Sequence, residues 1–268
     1  MYYSGFTIKR IRSVVGKTYG FTLSTATIYE WIQDYSKLAE QELQNIKPLI
    51  YNNSWVAYET VIKIGGRDFW LWIIMDSRTG FIFATHLSPE PTAEDANAAL
   101  RQATQTVRAA LPLHMATNHP SIHEAAHGTT PRPIIIELLD STNITDSPIS
   151  QLTSAIEMRA KKARGFRTDG TANAFFKGLT VHFNYFSRFQ SLAGATPAKA
   201  ANARSPFSSW EDVAKLDVRP VSHARSRSER LRARLELEMQ LQRAIRQLRS
   251  GQPLIREPVD VDIEHPDQ

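Results

Sequence analysis

Three strand-like segments in quick succession constrain the fold of this chain more than any other feature of its sequence. They occupy residues 54–64, 69–75 and 81–87 and are rich in aromatic and β-branched residues. The turn-forming residues Gly65 and Gly66 separate the first two, and a turn-forming stretch at 76–80 separates the second from the third. The pattern predicts an antiparallel meander of three strands.

The segments after the meander alternate between helical and extended patterns. Helical periodicity, strand composition and capping residues predict helices at 92–110, 120–128, 149–162 and 171–189, and strands at 113–117 and 133–138. A three-stranded meander followed by alternating helix and strand, then by helices, is the order of the RNase H-like α/β fold. We therefore expect a mixed sheet with helices on its faces.

The N-terminal segment predicts a helix-turn-helix. Apolar residues recur at helical spacing over 7–19, the pattern stops at Gly20, and Ser24 can cap a second helix. In a helix-turn-helix the second helix enters the major groove, and the polar residues on its outer face contact bases. The candidates here are Thr25, Thr27 and Tyr29, with Glu30 beside them. An ordinary helical hairpin that packs on the next domain explains the same residues.

Composition excludes several classes of protein. The chain lacks cysteine, which removes disulfides, thiolate zinc sites and cysteine nucleophiles. The longest apolar run, 69–75, is too short to span a bilayer, and the N-terminus lacks the pattern of a secretion signal. A net charge of +5 permits a polyanionic partner. We expect a cytoplasmic, nucleoid-associated protein without a membrane partner.

Charge is distributed unevenly along the C-terminal half. Residues 159–188 contain seven Lys or Arg and one Asp, a local charge of +6, whereas the last residues from 252 have five acids and one Arg. Residues 222–249 predict one long helix, either a partner or coiled-coil helix or a solvated one. The tail from 251, with three prolines and five acids, predicts disorder.

Motifs at both ends of the central region resemble the IS6/IS240-like DDE transposases of the integrase core superfamily. The opening strands read WVAYETVIKIGG from Trp55 and FWLWIIMDSRTG from Phe69. The closing helices include AIE ending at Glu157, RGFRT from Arg164, HFNYF from His182 and LAGATPA from Leu192. The resemblance covers roughly residues 2–201. It implies an RNase H-like fold and metal-dependent attack on DNA phosphodiesters.

The sequence departs from the family at two of three acidic positions. By the resemblance, Glu157 matches the catalytic Glu, but Tyr58 occupies the first Asp position and Asn118 the second. The family's chemistry uses a pair of divalent cations to hold the attacking and leaving oxygens. Magnesium requires anionic oxygen ligands, and a phenol and an amide are neutral near pH 7. The resemblance therefore implies a site that holds DNA without cutting it, with no cofactor expected.

An active recombinase is the alternative, with replacement ligands for Mg²⁺ or Mn²⁺. Glu59 and Asp76 are the nearest candidates, but side chains alternate along a strand, so Glu59 should face away from position 58 unless a bulge re-registers the strand.

The basic residues after Glu157 can contact phosphates without any metal. These predicted DNA-binding residues are Arg159, Lys161, Lys162, Arg164 and Arg167.

A short histidine motif provides a minor alternative function, that of an H-E-x-x-H zinc hydrolase. His123 and His127 complete an H-E-x-x-H pattern, the zincin signature, and His119 extends it by one turn. The segment between Pro120 and Gly128 gives a helix of only about two turns, and the third histidine of metzincins is absent. These three histidines are therefore only weak metal candidates.

Taken together, the sequence predicts a transposase-derived protein that binds double-stranded DNA and has a degenerate DDE site unable to cleave or join it. The expected regions are a helix-turn-helix at 1–50, an RNase H-like core at 51–201, a linker and long basic helix at 202–250, and an acidic tail at 251–268. The long helix is expected to mediate homo-oligomerisation or pairing with a partner transposase.

Overall fold

The structure of the protein is a computed structural model. The described residues are 1–20, 23–49, 53–107, 112–129, 134–138, 150, 152–154, 156–157 and 166–216. The chain divides into two compact units. The larger comprises Met1–Thr7 and Glu30–Arg219, and the smaller comprises Ile8–Tyr29 and Pro220–Gln268. The predicted long helix at 222–249 and the predicted tail lie outside the described residues.

The smaller unit contains helix α1 and the first turn of α2. Helix α1 spans Ile8–Tyr19, and Gly20 follows it with a φ of 75°, a left-handed conformation that favours glycine. Helix α2 spans Thr25–Leu43 and begins as predicted, because the backbone N–H of Thr27 donates to the Ser24 hydroxyl at 2.9 Å. With 19 residues, α2 is longer than the short second helix we expected. The helix-turn-helix therefore remains a prediction.

A five-stranded mixed sheet forms the centre of the larger unit. Its strand order is β3-β2-β1-β4-β5. The strands are β1 Ser54–Ile64, β2 Arg67–Asp76, β3 Ile82–Ser88, β4 His114–Thr117 and β5 Ile135–Leu138. The β1–β2 and β2–β3 pairs are antiparallel, whereas β1–β4 and β4–β5 are parallel. The predicted RNase H-like α/β fold, with its meander followed by parallel strands, is confirmed.

Two tight turns set the geometry of the meander. Gly65 and Gly66 connect β1 to β2 with φ angles of 57° and 83°, which side-chain-bearing residues rarely adopt. Asp76 closes the β2–β3 turn, because its Oδ2 accepts hydrogen bonds from the backbone N–H and the hydroxyl of Thr79, both at 2.7 Å. These turns explain why three strands pair within so short a segment.

Helices cover the sheet and differ from expectation mainly at their ends. They are α3 Ala93–Thr106, α4 Pro120–Thr129, α5 Asp169–Val181, α6 Pro197–Ala200 and α7 Trp210–Ala214. A π-helical turn, His182–Phe186, continues α5. The prediction that this helix reaches residue 189 was wrong, because Ser187 is extended. The predicted helix at 92–110 also ends early, since Val107 is already extended. The described residues between 150 and 157 are helical.

The sheet separates two apolar clusters. In the first cluster, α3 and α4 pack on one face of the sheet, and its members include Trp55, Ala57, Trp72, Leu100 and Ile122. In the second cluster, α5 packs on the other face of the sheet, and its members include Val56, Ile73, Ile156, Phe176 and Leu179. The neighbours Trp55 and Val56 fall in different clusters, as expected for a strand that is covered on both sides. Among the described helices, none is both long and apolar enough to cross a membrane.

Candidate active site

Side chains alternate along β1, so Tyr58 and Glu59 lie on opposite faces of the sheet. The pairing of β1 with β2 is continuous from Trp55 to Ile64, so no bulge reverses this alternation. Tyr58 packs against the second cluster, on the side of α5. Glu59 is paired with Trp72, which belongs to the first cluster. The side chain of Glu59 is therefore directed away from Tyr58.

Tyr58 meets Glu157 on its own face of the sheet. The phenol donates a hydrogen bond to Oε1 of Glu157 at 3.4 Å. Burial raises the pKa of Tyr58, and the charge of Glu157 and the hydrogen bond to it raise this pKa further. The phenol therefore stays protonated at neutral pH and acts as a hydrogen-bond donor. A strand residue and a helical residue 99 positions apart are thus brought together.

Asn118 binds the backbone of β1 next to Tyr58. It directly follows β4, which runs parallel to β1 with Ala57 opposite Thr117. Oδ1 of Asn118 accepts the backbone N–H of Glu59 at 2.8 Å, and Nδ2 donates to the Glu59 carbonyl at 2.9 Å. Position 118 therefore lies beside position 58, where β4 ends next to the middle of β1, and position 157 is joined to position 58 by the phenol hydrogen bond. Both polar atoms of the Asn118 amide are occupied there.

Glu59 forms a separate cluster with His119 on the opposite face. Its Oε2 lies 3.2 Å from Nδ1 of His119, and burial raises the pKa of Glu59 to about 7. Burial lowers the pKa of His119, and its Nδ1 accepts the backbone N–H of Ser121 at 3.2 Å. A nitrogen that accepts a hydrogen bond carries no proton. The lone pair of His119 Nδ1 is already taken by Ser121, and no described residue hydrogen-bonds to the buried Oε2 of Glu59. Burial therefore favours a neutral, protonated Glu59 beside a neutral His119 over an ion pair.

Trp72 and Asp76 complete the description of this opposite face. The ring of His119 lies edge-on to Trp72, with ring centroids 5.6 Å apart. Asp76 is fully buried, and its Oδ2 is occupied by Thr79 in the β2–β3 turn. It pairs with Trp55 of the first cluster. Neither Glu59 nor Asp76 adds a carboxylate to the cluster of Tyr58, Asn118 and Glu157.

The donor set at this cluster does not fit a pair of magnesium ions. It consists of a protonated phenol that donates to Glu157, an amide bound to the backbone, and one carboxylate. A pair of hard divalent cations requires several anionic oxygens that converge on it. Over the described part of the chain, no group of three or more His, Cys, Asp or Glu side chains is arranged to hold a metal ion.

The other predicted site residues are only partly within the described structure. Thr25 is exposed near the start of α2, and the hydroxyl of Thr27 lies 2.9 Å from that of Ser24. Tyr29 is partly exposed, and Arg167 is exposed after Phe166, which bridges to Ile64. Arg159, Lys161, Lys162 and Arg164 lie outside the described residues. The backbone of His123 and His127 belongs to α4, but their side chains also lie outside the described part.

One structural asparagine was not singled out from the sequence. Asn184 in the π-helical turn accepts the backbone N–H of Ile82 and donates to its carbonyl, both at 2.9 Å. Asn184 is buried, and it makes the same pair of hydrogen bonds to the backbone of β3 that Asn118 makes to the backbone of β1. The position lies inside the quoted HFNYF motif, but helical periodicity gives no sign that its amide reaches a strand.

The sheet and the cluster together define an RNase H-like α/β protein with polar residues at positions 58, 118 and 157. No family model matches the chain, and the comparison with curated proteins gives no match.

Solved structures of retroviral integrases are similar to this chain at low identity. The HTLV-2 integrase catalytic core domain in complex with magnesium is 18% identical, covering 58% of this chain and 99% of that one, with a TM-score of 0.42. The simian T-cell lymphotropic virus intasome in complex with PP2A regulatory subunit B56 gamma is 19% identical, covering 67% of this chain and 60% of that one, also with a TM-score of 0.42. The BIV integrase catalytic core is 18% identical over 56% of this chain and 94% of that one, with a TM-score of 0.38.

Proposed function

We propose that this chain is a transposase-derived protein of the IS6/IS240 kind that binds double-stranded DNA but neither cleaves nor joins it. The observation that carries the proposal is the cluster of Tyr58, Asn118 and Glu157, in which a single carboxylate stands. Cleavage by a DDE site requires that several carboxylates hold two divalent cations. With one carboxylate, the site lacks the charge to bind them.

The charges of the three side chains support loss of catalysis. Tyr58 keeps its proton and hydrogen-bonds to Glu157, the one residue that matches the family's acids. Asn118 is neutral and holds the backbone of Glu59. The alternative ligand Glu59 lies on the other face of the sheet beside His119. A recombinase that uses replacement ligands would need a carboxylate that these positions do not supply.

DNA binding is proposed from features that need no metal. Helix α1 displays the exposed residues Lys9, Arg12 and Lys17, and Thr25 is exposed at the start of α2. Together with Thr27, Tyr29 and the basic residues from Arg159 to Arg167, they form the proposed DNA-contacting set. Self-association or pairing with a partner transposase is assigned to segment 222–249.

A cleavage assay tests the loss of catalysis. The unmodified protein is compared with Tyr58→Asp combined with Asn118→Asp, which adds two carboxylates to Glu157, and with the same variant carrying Glu157→Gln as its matched control. The substrate is supercoiled plasmid with Mg²⁺ or Mn²⁺. We expect nicking only by the restored variant without Glu157→Gln. Nicking by the unmodified protein at the restored level would contradict the proposal.

A binding assay tests the other half of the proposal. Retention of a duplex oligonucleotide is measured as a function of salt. Because phosphate contacts release counterions, the logarithm of the binding constant should fall linearly with the logarithm of salt concentration. Absence of salt-sensitive retention would refute DNA binding, whatever the outcome of the cleavage assay.

A further inference from the structure

A basic groove opens between the π-helical turn and the segment that follows α6. Three cationic side chains line it: Arg188, Lys199 and Arg204. The groove has a volume of about 500 Å³. Its residues all belong to the larger compact unit. We refer to this depression, defined by its three cations, as the basic groove.

The three cations are exposed and not neutralised by neighbouring acids. Within the described ranges, no carboxylate forms an ion pair with Arg188, Lys199 or Arg204, and all three are exposed. Other lysines of the same unit are paired, for example Lys177 with Glu40 at 2.8 Å and Lys215 with Asp212 at 3.3 Å. The three groove cations therefore carry charge that no described carboxylate neutralises.

The walls of the groove add uncharged donors and an apolar floor. Tyr185 and Phe207 line it and belong to the first apolar cluster, and burial raises the pKa of Tyr185 to about 12, so its phenol remains protonated. Ser205 and Ser208 also line it. Ser208 is tied to Asp212, the one described carboxylate bonded to a lining residue.

A second depression extends the positive surface. It is lined by Asn45, Lys47, Asn202 and Arg204, so Asn202 and Arg204 belong to both depressions. Lys47 donates to the carbonyl of Gln105 at 3.0 Å, which fixes the ammonium without neutralising it. Cations and amides therefore continue from the groove into the adjoining depression, an extent that suits an extended polyanion better than a small anion.

We propose that the basic groove binds the sugar-phosphate backbone of duplex DNA, a contact that rests on the proposed DNA-binding function. Arginine presents a planar fork of donors that matches phosphate oxygens, and exposed lysine supplies a mobile point charge. The floor of the groove belongs to the first cluster, whereas Tyr58 packs against the second. The groove is therefore separate from the Tyr58–Glu157 cluster, and it contacts DNA away from the degenerate site without reading its sequence.

The test removes the three groove cations together. A groove variant, Arg188→Gln with Lys199→Gln and Arg204→Gln, is compared with the unmodified protein. A charge-matched control, Lys37→Gln with Arg78→Gln and Arg101→Gln, removes three exposed cations outside the groove that, like the groove cations, form no ion pair with a described residue. Circular dichroism and thermal unfolding verify that both variants fold. Affinity for a duplex oligonucleotide is measured by fluorescence anisotropy over a range of salt concentrations, with two unrelated duplex sequences.

We expect the groove variant to bind both sequences more than about tenfold more weakly, and its salt slope to fall by about three because three phosphate contacts are lost. The dispersed control should retain most of the affinity and slope.

If the unmodified protein binds DNA and the two variants lose the same affinity, the groove is refuted while the proposed function stands. If the unmodified protein does not bind DNA, the proposed function and the groove both fail. Unchanged DNA binding with lost affinity for an acidic peptide of residues 252–268 would reassign the groove to a protein ligand.

Discussion

Asn118 and Glu59 are joined by two hydrogen bonds, from the Glu59 backbone N–H to Oδ1 of Asn118 at 2.8 Å and from Nδ2 of Asn118 to the Glu59 carbonyl at 2.9 Å. This pairing gives the asparagine a structural role at a position where the resembled family has a metal ligand. An aspartate would place an oxygen against the Glu59 carbonyl in place of the donor. The neutral amide therefore suits the present backbone contact better than a carboxylate.

A pair of asparagine substitutions tests this role. Asn118→Asp should cost less than about 1 kcal/mol of unfolding free energy, because residue 118 is exposed and the carboxylate can turn into solvent. Asn184→Asp removes the donor from the same kind of paired backbone hydrogen bonds at a buried position. It should cost more than about 2 kcal/mol of unfolding free energy. Urea unfolding of both variants measures the difference. A loss of unfolding free energy at position 118 as large as that at position 184, about 2 kcal/mol or more, would contradict the prediction that the exposed contact contributes little to stability.

The Glu59–His119 contact predicts a pH dependence of stability. The folded protein raises the pKa of Glu59 from 4.5 to about 7, so it binds this proton more tightly than the unfolded chain does. The resulting stability is fully present below about pH 4.5 and is lost as the pH rises to about 7, on the order of 2 kcal/mol. The lowered pKa of His119 acts in the opposite sense, since its contribution is lost as the pH falls below 6.5.

Glu59→Gln isolates the glutamate's contribution. Gln cannot ionise, so the variant should lack the decrease in stability between pH 4.5 and 7 that the unmodified protein shows. Glu124→Gln, which removes an exposed carboxylate on α4, is the control and should keep that decrease. Thermal unfolding across this pH interval provides the measurement. An unchanged pH profile in Glu59→Gln would mean that Glu59 is ionised in the folded protein throughout.

A glycine in α5 provides a test of how the N-terminal segment packs. A Cβ at Gly178 would lie 2.0 Å from the Tyr3 hydroxyl and 2.5 Å from that of Ser36, two groups that are hydrogen-bonded to each other at 2.7 Å. Gly178→Ala should therefore cost about 1–3 kcal/mol through overpacking. Gly170→Ala, at the start of the same helix with no atom nearby, should be neutral or stabilising by up to about 1 kcal/mol. Equal effects in chemical denaturation would contradict this packing.

The sheet could be predicted from the sequence because its signals are local. The Gly65-Gly66 turn and the β-branched runs fix the meander, and the Thr92 cap fixes the start of α3, where its side chain accepts from Asp95 at 3.2 Å. Alternation along β1 was also sufficient to place Glu59 away from Tyr58. These features depend on residues a few positions apart.

The end of α5 and the contacts of the site could not be predicted in the same way. The π-helical turn depends on Asn184 reaching Ile82, 102 residues earlier in the chain, and helical periodicity does not record such a contact. The raised pKa of Glu59 and the lowered pKa of His119 depend on burial, which only the tertiary structure creates. The basic groove likewise combines residues that are dispersed in the sequence.

Metal binding tests the central claim most directly. Mn²⁺ is titrated into the unmodified protein and free Mn²⁺ is followed by electron paramagnetic resonance, with Glu157→Gln as the matched control and Tyr58→Asp with Asn118→Asp as the restored site. One carboxylate is expected to be insufficient, so the unmodified protein should bind no more Mn²⁺ than Glu157→Gln, while the restored variant binds additional ions. Binding of Mn²⁺ by the unmodified protein that Glu157→Gln abolishes would contradict the account.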